Sequence, residues 1–147
     1  MQASHDLAIL NSLIEAVLDS SQGYGEAAEQ AKNPMIADLF RRWAGERARV
    51  VDALRAVARE LGGRPADNGT VLASAHRMFM ELRAHMSKGD KAVVQEVERG
   101  EDHIKCKFEE ALAQTELAAP VRAAIENAYA SVKRGHEEMR DLKRAYE

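Results

Sequence analysis

NPMIADLFRRWAGERARVVDALRAVARELGG, residues 33–63, is the stretch that decides the fold. Its apolar residues Ile36, Leu39, Phe40, Trp43, Val50, Leu54, Val57 and Leu61 recur in steps that keep to the helical period. That spacing puts side chains on one stripe of an α-helix, whereas a half-buried strand would alternate. The ends carry their own punctuation. Asn33 offers a side-chain acceptor to the free N–H groups of a first turn, and Pro34 has a φ already suited to the first helical position. Gly62 and Gly63 supply the backbone freedom that a helix end uses.

The same period continues on both sides. A first helix starts at about Ser4, carries Leu7, Leu10, Ile14, Val17 and Ser21 on one stripe, and is expected to bend at Gly23 and Gly25. A short helix over about Thr70 to Met86 holds Leu72, Ala75, Phe79, Leu82 and Met86. After the break at Ser87-Lys88-Gly89-Asp90 comes a longer helix with Val94, Val97, Ile104, Phe108 and Leu112. Ala118-Ala119-Pro120 opens the last one, with Val121, Ile125, Ala128, Val132, Met139, Leu142 and Tyr146. The expected class is all-α, in a single domain covering residues 1–147. Four long helices of about 28 residues, each about 40 Å at 1.5 Å per residue, suit a four-helix bundle. The short middle helix can carry the chain from one end of the bundle to the other, giving an up-down-down-up order. A five-helix meander is the alternative.

Composition narrows the functional classes. A net charge of −3, from 21 basic and 24 acidic residues, supplies no positive field to gather nucleic acid or an anionic membrane. The basic residues at Arg41, Arg42, Arg47 and Arg49, and again at Lys133, Arg134, Arg140, Lys143 and Arg144, are interleaved with acids and read as solvated faces. Cys106 is the single cysteine, which excludes an intramolecular disulfide, and is expected to be a buried structural thiol. The N-terminus has neither the basic residues nor the apolar run of a signal peptide, and no stretch approaches a bilayer span, so a cytoplasmic protein is expected.

A four-helix bundle invites a test for a di-metal centre, built from one Glu on each of two helices and Glu-x-x-His on the other two. Here Glu46 is followed three residues on by Arg49, and Glu126 by Tyr129. Helical angles place Glu15 and Asp19 on a flank, Glu46 at a boundary, and Asp102 and His103 away from the stripe of Val97, Ile104 and Phe108. Glu101 falls inside that stripe, and Arg47 is the most central polar residue of its helix. An unpaired interior charge costs several kcal/mol, about the scale that enforces pairing, so Arg47 and Glu101 are expected to form a structural ion pair. His76 lies at the edge of the short helix's stripe, and Glu81 with His85 offers only two ligands on an outer face. Nucleotide loops, a serine elbow and His-Glu-x-x-His are missing from the sequence.

Leu10-Asn11-Ser12-Leu13-Ile14-Glu15, Gln22-Gly23-Tyr24, Glu60-Leu61-Gly62-Gly63, His76-Arg77 and Glu98-Arg99-Gly100-Glu101-Asp102 occur in this order along nearly the whole chain. Together they resemble a bacterial domain-of-unknown-function family of ferritin-like four-helix-bundle proteins. The resemblance implies a ferritin-like fold with a helical crossover, and a distant relation to rubrerythrins and to bacterial stress-response bundles. It supplies no activity. Our expectation leans against an enzyme. It is a non-enzymatic bundle with no catalytic, cofactor-binding or metal residues, acting through an unknown protein partner or a second copy of itself, without nucleic acid or membrane. The alternative is a degenerate metal-binding bundle holding one iron, manganese or zinc ion through a subset of Glu15, Glu46, Glu101 and His76.

Overall fold

Four α-helices make up the secondary structure of residues 2–66 and 89–146, which are those described by the computed structural model. They are α1 Gln2–Gln30, α2 Pro34–Glu60, α3 Asp90–Leu112 and α4 Ala119–Ala145, and there is no strand among the described residues. The expected short helix over residues 70–86, with His76, Glu81 and His85, lies outside the described residues.

Local chemistry sets the helix ends. The Asn33 side chain accepts from Met35 N at 2.9 Å, with Pro34 in the first turn. At the other end of α2, Gly62 takes a φ of +79°, while Gly62 N donates to Arg59 O and Gly63 N to Ala58 O. This pair of bonds is a Schellman closure, and its left-handed residue is glycine because side chains strain a backbone of positive φ. Helix α1 starts two residues earlier than expected and runs unbroken through Gly23 and Gly25. Burial of Tyr24, Ala27 and Ala28 against the neighbouring helices holds the helix together where propensity alone predicts a weak point.

Two clamps fix the directions of the helices. The Asp90 carboxylate, at the first residue of α3, accepts from Lys32 N at 2.7 Å and Asn33 N at 2.8 Å, in the turn that enters α2. Helices α2 and α3 therefore begin at the same end and run the same way, antiparallel to α1. At the opposite end, Asn11 donates to Arg64 O and accepts from Ala66 N, while Asp6 accepts from Ala118 N. The exit of α2 and the entry of α4 are thus tied to the first half of α1. Helix α1 packs on α2 and α3, and α4 packs on α3 and α2, so α2 and α3 face each other across a diagonal.

The core is divided. One apolar cluster gathers Leu10, Leu13, Ile14, Leu54, Phe108 and Ile125 with their neighbours. A second gathers Tyr24, Phe40, Trp43, Val93, Val94 and Met139. Between them lies a layer of buried polar side chains centred on Arg47 and Glu101. No helix among the described residues is long and apolar enough to cross a membrane.

Candidate functional site

Arg47 stands midway along α2 and Glu101 midway along α3, so the contact between them crosses the bundle diagonal at its midpoint. Arg47 Nη2 donates to Glu101 Oε2 at 2.7 Å, and Nη1 donates to Ser20 Oγ at 2.9 Å. The two side chains are 0% and 2% exposed, which removes the solvent screening that makes surface pairs weak. The guanidinium carbon also sits 5.4 Å from the Trp43 ring and 5.5 Å from the Tyr24 ring, within cation–π range. The Tyr24 hydroxyl is buried beside the Glu101 carboxylate. Burial and the Glu101 charge hold it un-ionised, well above the ordinary tyrosine range, against the opposing pull of Arg47.

The described residues of the metal-binding alternative do not converge. Glu101 is occupied by Arg47. The Glu46 side chain, 30% exposed, accepts from Ser131 Oγ at 2.8 Å and lies 3.7 Å from both Arg49 and Arg134. Glu15 is half-buried on α1, and His76 is outside the described residues. Among the described residues, Glu15, Glu46 and Glu101 form no three-ligand group. The two positions where a ferritin-like site would place histidines point elsewhere. Arg49 is exposed, and Tyr129 donates to Glu109 Oε2 at 2.7 Å and stacks on Phe108. Cys106 is exposed, contrary to the expected buried thiol. It lies two residues from both Ile104 and Phe108, about 200° around the helix from each.

A cluster the sequence reading passed over lies at the α3–α4 seam. Glu98, Asp102 and His136 each offer a ligand atom, all within 4.8 Å of one another. His136 and Asp102 approach to 2.5 Å, and Lys143 Nζ lies 3.4 Å from Glu98 Oε2. The signal was present. His136 falls between Val132 and Met139 on the apolar stripe of α4, and Glu98 and Asp102 are four apart on one face of α3.

Two openings complete the surface. A cavity of about 80 Å³ between α1 and α3, lined by Ser20, Gly23, Tyr24, Gly100 and Glu101, admits water but is too small for a substrate-sized molecule. A groove of about 510 Å³ between α2 and α4 is lined by Arg41, Arg42, Arg49 and Arg134, with Glu46, Glu138 and the edge of Trp43. The fold thus brings Arg134 of the second basic stretch beside Arg41, Arg42 and Arg49 of the first. Comparison with curated proteins finds no match. Residues 6–114, a span that includes Arg47, Glu98, Glu101 and Asp102 and ends before His136, match the family described as Domain of unknown function (DUF2383), and the chain belongs to that family.

Proposed function

We propose that the protein is a cytoplasmic, ferritin-like bundle, distantly related to rubrerythrins, with a non-enzymatic, stress-associated role carried by contacts with another protein. The shared direction of α2 and α3, set by Asp90, supports the ferritin-like order of helices. The observation that carries the reading is the guanidinium of Arg47 at the bundle midpoint. A metal ion there would meet a fixed positive charge in a buried interior, and the inward carboxylate it needs is already neutralised by that charge. The apolar surface offers little for docking, since Met35 is the exposed large hydrophobic residue among those described. The arginine-lined α2–α4 groove is the better contact surface, and it suits an acidic partner segment.

Ferrous-ion oxidation in air tests this reading. With the purified chain present, the rate is expected to match that of buffer containing an inert protein. Acceleration by the wild type that disappears in Glu101→Gln would overturn the reading and restore the bundle midpoint as a redox centre.

A further inference from the structure

We propose that Glu98, Asp102 and His136 form a binding site for one divalent first-row transition ion at the α3–α4 seam, apart from the Arg47–Glu101 midpoint. Four-residue spacing stacks the two carboxylates on one face of α3, and the antiparallel α4 brings the imidazole against them. One nitrogen and two carboxylate oxygens are the donor set that zinc, manganese and ferrous iron accept. Three protein ligands leave a position for water.

Burial supports the assignment independently. Glu98 is 8% exposed, yet its hydrogen-bond partner among the described residues is the Lys143 ammonium at 3.4 Å. A charge-assisted contact is ordinarily about 2.7–2.9 Å, so this buried carboxylate is held by a distant and flexible cation. A buried carboxylate with so loose a partner has affinity left for a better one. The His136 side chain is 11% exposed, whereas that of Asp102 is 56% exposed, which leaves one side open for ion entry.

The geometry needs little adjustment. Metal–ligand bonds of about 2.0–2.2 Å set tetrahedral neighbours about 3.3 Å apart. His136 and Asp102 at 2.5 Å are closer than that, so an entering ion would release any proton held between them and part them by a side-chain rotation. Lys143 would swing to solvent at the same time.

Calorimetric titration of Zn²⁺ into the full-length, chelator-stripped protein provides the test. One Zn²⁺ is expected to bind per chain. His136→Asn should weaken binding by about 100-fold, the upper end of what even an outer-shell loss costs. Asp102→Asn should weaken it comparably, and because Asp102 is mostly exposed this variant keeps the fold if His136→Asn does not. His103→Asn and Cys106→Ser, on the exposed side of α3, should leave the affinity unchanged. Absence of Zn²⁺ binding, equal binding by wild type and Asp102→Asn, or loss caused by His103→Asn or Cys106→Ser would each overturn the proposal.

Discussion

The guanidinium of Arg47 has three nitrogens, of which Nη1 and Nη2 find hydrogen-bond partners while Nε is buried without one among the described residues. The interior thus holds a cation that is paired but not fully satisfied, the situation in which removing its partner is most damaging. Glu101→Leu should destabilise the chain by about 3–5 kcal/mol, because it leaves the guanidinium buried and uncompensated. Arg47→Met strands the carboxylate instead and should cost a similar amount. The double variant Arg47→Met/Glu101→Leu should recover most of that loss, short by about 1–2 kcal/mol for the cation–π contacts with Tyr24 and Trp43. Chemical denaturation of all four proteins checks this. A double variant as unstable as either single one would mean that the pair contributes net stability of its own. Arg47 and Glu101 were legible in the sequence because each lies within an apolar stripe, and for Arg47 that position overrides the solvated-face reading of the basic stretch around it. Glu98 and His136 were harder to see, because their burial depends on how α3 and α4 meet, and a single-helix projection does not contain that information.

Gly135 shows how a helix responds to what its neighbour carries. A Cβ at this position of α4 would collide with Arg47 Nη2 and stand 3.1 Å from Glu101 Oε2 and 3.3 Å from the Trp43 ring. Arg47 cannot retreat, since Ser20 and Glu101 hold both of its terminal nitrogens. By contrast, a Cβ on Gly45 of α2 would meet nothing within 4 Å. Helix propensity favours alanine over glycine by about 1 kcal/mol at both sites, so context alone should separate them. Gly45→Ala is expected to stabilise by about 0.5–1 kcal/mol. Gly135→Ala is expected to destabilise by about 1–3 kcal/mol, as overpacking outweighs propensity. Thermal melts of the two variants decide the matter, and stabilisation by both would show that the polar layer yields easily. The boundaries of α2 were readable from Asn33, Pro34 and Gly62 because capping is local. The continuity of α1 through Gly23 and Gly25 was not readable in the sequence, because the packing around Tyr24 and Ala27 that sustains it comes from residues distant in sequence.

At the scale of the molecule, periodicity and length were enough to indicate four long helices. The shared direction of α2 and α3 rests on Asp90 gripping the α1–α2 turn, a contact between residues more than fifty positions apart that no local pattern reveals. The tyrosines sample three regions of this assembly, with Tyr24 in the second apolar cluster, Tyr129 at the α3–α4 seam and Tyr146 just beyond α4. These are all the tyrosines in the chain. Each is shifted upward, first by burial and then by a nearby carboxylate. Glu101 acts on Tyr24, Glu109 on Tyr129 and Asp90 on Tyr146. Tyr129 is pushed from 10.0 up to about 12. An unfolded chain would release these protons near pH 10, about the ordinary tyrosine value, whereas the folded chain keeps them. The folded state then binds more protons than the unfolded state, so stability must fall as pH rises through this window. The contribution of Tyr129 is present in full below about pH 10 and is lost as pH climbs towards about 12. Absorbance at the phenolate band should show less than half of the tyrosine ionised at pH 10 in the folded protein, and about half once the protein is denatured. Tyr129→Phe should flatten the part of the alkaline stability loss that this residue causes, measured by denaturation midpoints across the window. An unchanged slope in that variant would place the shift on Tyr24 and Tyr146 alone and remove the Glu109–Tyr129 contact as its cause.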